Sequence, residues 1–176
     1  MIINIPASLN ILWQDFELHI EKDIVLKTGI TYHLTGNNGS GKTSFIKKIL
    51  IPLLNVNPQH QYILYVEQQI QNQFYALKAY SSLSKTSKHL STFNEMVMYQ
   101  LNDLKNMLLK DDRPVMLILD EFDITDEVKQ TVYELEKNEI CILYISHKPC
   151  LFDKKDNMVN LSFIRTTPTQ SKVSVQ

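Results

Sequence analysis

The run Gly36-Asn37-Asn38-Gly39-Ser40-Gly41-Lys42-Thr43 has a glycine, four residues and then Gly-Lys-Thr, the spacing of a loop that holds phosphate groups. Three of the chain's four glycines lie in it. Gathered so closely, they serve backbone geometry: they permit positive φ and let main-chain N–H groups converge on a phosphate. Lys42 would reach the β- and γ-phosphates, the Thr43 hydroxyl would coordinate Mg²⁺, and Ser44 would stand beside them among the nucleotide contacts. A second candidate is the pair Asp120-Glu121, two carboxylates directly after the apolar run Val115-Met116-Leu117-Ile118-Leu119. Asp120 would hold Mg²⁺ and Glu121 would polarise an attacking water as general base. Two other apolar runs also stop at polar side chains. Gln68 or the following Gln69 could touch a Mg²⁺-bound water or the γ-phosphate, and His147, after Ser146, would contact the γ-phosphate. Trp13 and Phe16 either stack on an adenine or pack in the core.

These groups need elements that bring them together. Ile30 to Thr35 alternates like a buried strand before the glycine loop, and Ser44 to Leu50 has apolar residues at helical spacing after it. A strand, a loop and a helix in that order are what a phosphate-binding loop requires. The helix is expected to end near Ile51, at Pro52, with loop from 52 to 60. Upstream, Leu9–Trp13, Phe16–Glu21 and Asp23–Leu26 predict an opening sheet, closed by a turn at Lys27-Thr28-Gly29. Downstream, strands are expected at Gln61–Val66, Val115–Leu119 and Ile140–Ile145. The run 115–119 is apolar on both faces, which suits a central parallel strand, and acids at its C-terminal edge lie where open α/β sheets bind ligands. A helix capped by Ser91 or Thr92, with Glu95 in its first turn, buries Phe93, Val97, Leu101, Leu104 and Leu108 along one face. A short helix spans about 126 to 137. Residues 81–92 are hydroxyl-rich and predict a loop, Met158 to Arg165 an edge strand, and 166–176 a flexible polar tail.

Composition excludes some classes. With 18 basic and 19 acidic residues the chain has no electrostatic case for nucleic acid as its main partner. Its two cysteines, Cys141 and Cys150, have no metal-ligand spacing and predict reduced thiols in a cytosolic protein. The opening residues Met1 to Pro6 predict no signal peptide, and with no apolar run near roughly 20 residues no membrane helix is expected.

Taken in order, Gly36 to Thr43, Gln68 after its strand, Leu-Ile-Leu-Asp-Glu at 117 to 121 and Ile-Ser-His at 145 to 147 resemble the ATP-binding cassette (ABC) ATPases over about residues 9 to 163. The resemblance implies an α/β fold of the P-loop NTPase type: a twisted, mostly parallel sheet flanked by helices, an antiparallel N-terminal β portion, and a helical insertion reduced to about 70–110. A single domain over 1–165 and the tail 166–176 would make up the chain. It implies ATP and Mg²⁺ as cofactors, bound by Gly36, Asn37, Asn38, Gly39, Ser40, Gly41, Lys42, Thr43, Ser44 and Gln68, with Trp13 as adenine-stacking aromatic. Thr43, Asp120 and Gln68 would hold the metal; Glu121, His147 and Lys42 would be catalytic. Expected partners are separate membrane-embedded transporter subunits and an ATP-dependent homo- or heterodimer, on the cytoplasmic side of a membrane. A non-transport ABC ATPase of the DNA-repair or chromosome-maintenance type is the alternative, as is an ATP-binding regulatory module with little hydrolysis. The chain departs from the family at the Leu-Ser-Gly-Gly-Gln signature, where its nearest match, Leu90-Ser91-Thr92-Phe93-Asn94, has no glycine.

Overall fold

The computed structural model describes residues 2–56, 61–68, 71, 73–76, 92–121, 125–146 and 157–176. Its strands are β1 (Ile2–Ile5), β2 (Ile11–Trp13), β3 (Phe16–Ile20), β4 (Ile24–Lys27), β5 (Thr31–Thr35), β6 (Tyr62–Val66), β7 (Val115–Asp120), β8 (Cys141–Ile145), β9 (Met158–Thr167) and β10 (Gln170–Val175). Eight of them form one sheet in the order β2-β3-β10-β9-β5-β8-β7-β6, and β1 pairs with β4 in a separate antiparallel ribbon. From β9 through β5, β8 and β7 to β6 every pairing is parallel. The glycine loop and the polar residues after β6, β7 and β8 therefore leave the sheet at one edge.

The central strands are apolar on both faces because both faces are covered. In β7, Met116 and Ile118 pack beneath the helical run after the glycine loop, with Phe45, Ile46, Ile49 and Leu50. Leu117 and Leu119 pack on the other face against two helices, α3 (Phe93–Leu108) and α4 (Asp126–Glu136), through Val97, Leu101, Val128 and Val132. β8 divides the same way, Leu143 to one side and Tyr144 to the other. The N-cap of α3 is Thr92: its hydroxyl accepts from the Glu95 N–H while Glu95 accepts from the Thr92 N–H, a closed capping box.

Three expectations need correction. The helix after the glycine loop does not stop before Pro52: α1 (Lys42–Phe45) runs through a π-helical turn, Ile46–Leu50, into α2 (Ile51–Leu54). In the widened turn the Ile51 N–H donates to Ile46 O, five residues back, and Pro52 falls at the start of a fresh helical turn, where its missing N–H costs little. The residues 166–176 do not fray. They complete β9 and form β10, which lies parallel to β3 and antiparallel to β9, with Ser171 and Val173 turned into the core. For the same reason β9 is interior rather than an edge: β5 and β10 flank it. No helix among the described residues is long and apolar enough to cross a membrane. Cys141 is a buried free thiol, and Cys150 lies outside the described residues.

Candidate functional site

Strand β8 stands between β5, which enters the glycine loop, and β7, which ends in Asp120. Leu34 pairs with Ile145, and Ile145 with Asp120, so the loop begins two residues beyond the row that carries the acid. The loop then crosses the end of β8, and Thr43 Oγ1 donates to Asp120 Oδ1 at 3.1 Å. Two segments more than seventy residues apart in the chain thus meet through one hydroxyl and one carboxylate.

Backbone geometry confirms why the loop needs glycine. Gly36 has φ +142°, and a Cβ there would lie 2.3 Å from the Phe163 carbonyl oxygen and 2.8 Å from Ser40 Oγ. Gly41 has φ +96° and is the N-cap of α1 with no side chain capping the turn, which leaves first-turn N–H groups for a ligand. Lys42 is buried and folds back, its Nζ donating to Gly36 O at 2.8 Å and Asn37 O at 3.1 Å. Burial pulls its ammonium below the ordinary lysine range, opposed by the Glu121 and Asp120 carboxylates.

A cleft of about 520 Å³ opens above the loop, within the range of small-molecule sites. Asn38, Gly39, Ser40, Gly41, Lys42, Thr43, Ser44, Gln68, Glu121 and Trp13 line it, joined by Gln14 and Phe16. Trp13 is 48% exposed, with Lys48 Nζ 4.5 Å from its ring centroid. Asp120 lies fully buried behind the cleft; burial, and then the neighbouring Glu121 charge, push its carboxyl up, against hydrogen bonds from Tyr65 and Thr43 that lower it. Glu121 takes a left-handed φ of +50°, its N–H donating to Ile145 O at 3.2 Å, and Gln68 Nε2 donates to its Oε2. The sequence-expected residues Lys42, Thr43, Gln68, Asp120, Glu121 and Trp13 are therefore brought to one place. His147 and Gln69 lie outside the described residues.

One participant escaped the sequence reading. Tyr65 OH donates to Asp120 Oδ2 at 2.9 Å. Burial, with the Asp120 carboxylate beside it, raises this phenol and keeps its proton on the donor. The only sequence signal was a polar-tipped aromatic in the strand that leads to Gln68.

The site tests well for a nucleoside phosphate with a hard divalent cation. Its glycines form a cradle that a Cβ would fill, and Thr43 and Asp120 form an all-oxygen donor set of the kind Mg²⁺ takes. The mostly parallel sheet covered on both faces, with the glycine loop between β5 and α1, is a fold of the P-loop NTPase type. No family model matches the chain, and no curated protein matches it. Solved structures do. An archaeal ribosome recycling factor, aABCE1, solved with the ribosomal stalk protein aP1, is 18% identical with a TM-score of 0.59; the alignment covers 97% of this chain and 38% of that one. The ATP-binding cassette of an ABC transporter, in its ADP conformation, is 13% identical with a TM-score of 0.53, over 97% of this chain and 89% of that one. This chain thus spans well under half of the recycling factor's length. At these identities the likeness is one of fold: that of P-loop ATPases, ABC domains among them.

Proposed function

We propose that this chain is an ABC-type ATPase that binds Mg-ATP on the Gly36–Thr43 loop and hydrolyses it, as the ATP-binding subunit of a membrane transporter whose membrane chains are separate. The observation that carries the enzymatic part is the Thr43–Asp120 hydrogen bond across the end of β8, with Glu121 next in the chain and lining the same cleft. Loop N–H groups and Lys42 bind the phosphates, and Lys42 exchanges its two loop carbonyls for phosphate oxygens. When bound, Mg²⁺ on Thr43 and Asp120 supplies positive charge against the phosphate oxygens. Glu121 accepts a proton from the attacking water, Gln68 orients the Glu121 carboxylate, and His147 donates to the γ-phosphate. Trp13 stacks on the adenine. The transport role rests on the sequence resemblance, and on that reading the protein works at the cytoplasmic side of a membrane.

A second reading has its own observation. The N-terminus of α3, where the glycine-free signature stretch ends, carries the Thr92–Glu95 capping box, which takes up the Thr92 and Glu95 N–H groups internally and adds a carboxylate. Such an end is poorly suited to grip a phosphate held by a partner subunit. That favours a module that binds ATP with little turnover. ATP binding and turnover of wild type and Glu121→Gln, with size-exclusion chromatography with and without Mg-ATP, separate the two. The enzyme reading expects slow turnover, lost by at least about a hundredfold in Glu121→Gln, and ATP-dependent dimers of that variant. Binding without turnover or dimers establishes the module instead, and no ATP binding at all defeats both.

A further inference from the structure

The carboxylate of Asp120 is gripped at both oxygens by neutral hydroxyls from two different elements: Thr43 of α1 on Oδ1 at 3.1 Å and Tyr65 of β6 on Oδ2 at 2.9 Å. The sheet register explains the second contact. Tyr65 pairs with Ile118, so Asp120 lies two residues further along β7 on the same face, within reach of a long aromatic side chain. Tyr65 is itself held. Its carbonyl accepts from Gln73 Nε2 at 2.7 Å, and Lys47 Nζ sits 5.8 Å from its ring centroid while paired to Glu67 at 2.9 Å. Asp120 is fully buried, with Thr43 and Tyr65 as the side-chain partners of its two carboxylate oxygens.

We infer that Tyr65 is a positioning residue that sets metal selectivity: by holding Oδ2 it fixes the rotation of the Asp120 carboxylate, so that the ion is served through Oδ1, beside Thr43, and so favours Mg²⁺ over Ca²⁺. The inference rests on the Mg-ATP reading above. Mg²⁺ is small, keeps several waters and is served by single carboxylate oxygens, whereas Ca²⁺ takes more ligands at longer distances and readily uses both oxygens of one carboxylate. Removing the phenol hydroxyl frees Oδ2, lets the carboxylate rotate, and so helps the larger ion while loosening the geometry offered to the smaller one.

The test is calorimetric titration of a non-hydrolysable ATP analogue into wild type and Tyr65→Phe, in EDTA, in Mg²⁺ and in Ca²⁺. Wild type should bind more tightly in Mg²⁺ than in EDTA, and more tightly in Mg²⁺ than in Ca²⁺. Tyr65→Phe should leave the EDTA affinity unchanged, lower the gain from Mg²⁺ by about three- to tenfold, and narrow the Mg²⁺-to-Ca²⁺ ratio. In an Asp120→Asn background the same substitution should no longer change that ratio. An unchanged ratio in Tyr65→Phe, an equal loss in EDTA, or an effect that persists without the Asp120 carboxylate overturns the inference. So does a wild type that binds equally in the two ions, an arm that needs no variant to fold. A wild type whose binding is the same in EDTA and Mg²⁺ overturns the metal reading of the site and the inference with it, and this outcome is distinct from the others.

Discussion

Gly36→Ala isolates the demand that the fold places on the phosphate loop. The residue sits at φ +142°, a region that residues with a Cβ rarely occupy, at a cost of about 1–3 kcal/mol. The added Cβ would also lie 2.3 Å from the backbone oxygen of Phe163, on β9 beside the loop, and a backbone atom cannot rotate away. Overpacking of that kind adds roughly 1–3 kcal/mol more. At about 2–4 °C per kcal/mol for a domain of this size, the melting temperature should fall by roughly 5–20 °C. Because relief of the clash must lift the loop from β9, ATP affinity should fall at least tenfold in calorimetry as well. Gly29→Ala is the control: its φ is +76°, but nothing lies within 4 Å of the new Cβ. It should cost only about 1–2 kcal/mol of strain and leave ATP affinity unchanged. If the two variants melt alike and bind ATP alike, the contact between loop and β9 does not organise the site and the reasoning is refuted.

Trp13→Ala should weaken ATP by about five- to a hundredfold through lost base stacking while leaving pyrophosphate affinity intact; parallel losses of both ligands would exclude a base contact. Burial, with Glu121 adding to it, raises the Asp120 carboxyl, so the protonated form favours folding: that stability is complete below the ordinary value of 3.8 and is lost as pH rises through the raised folded value. Asp120→Asn without ligand should therefore melt above wild type at neutral pH, the gap closing as acid approaches 3.8, and should lose the Mg²⁺-dependent gain in melting temperature with ATP; a gap constant with pH contradicts the assignment. Thr92→Ala removes the α3 capping box and should cost about 1 kcal/mol, read as a fall of roughly 2–4 °C in melting temperature. An unchanged melting temperature would mean the box does not stabilise α3.

The chemistry of the site was legible in the amino-acid sequence because it is carried by contiguous residues. Gly36 to Thr43 declares its loop by local conformational need, and Val115 to Glu121 declares a central strand ending in acids, since burial on both faces leaves an unbroken apolar run. The capping of α3 by Thr92 and Glu95 is local for the same reason. What depends on partners distant in the chain could be decided only by the tertiary structure. Gln170 to Val175 reads as a polar tail until β3 and β9 take up its backbone groups on both sides and draw Ser171 and Val173 inward. Pro52 reads as a helix stop until a π turn shifts the hydrogen-bond register ahead of it. Tyr65 reads as one more strand aromatic until β6 is laid beside β7 and its hydroxyl meets Asp120. A side chain's type sets the bonds it can make, and pairing between strands far apart in the chain decides which atom stands within reach to make them.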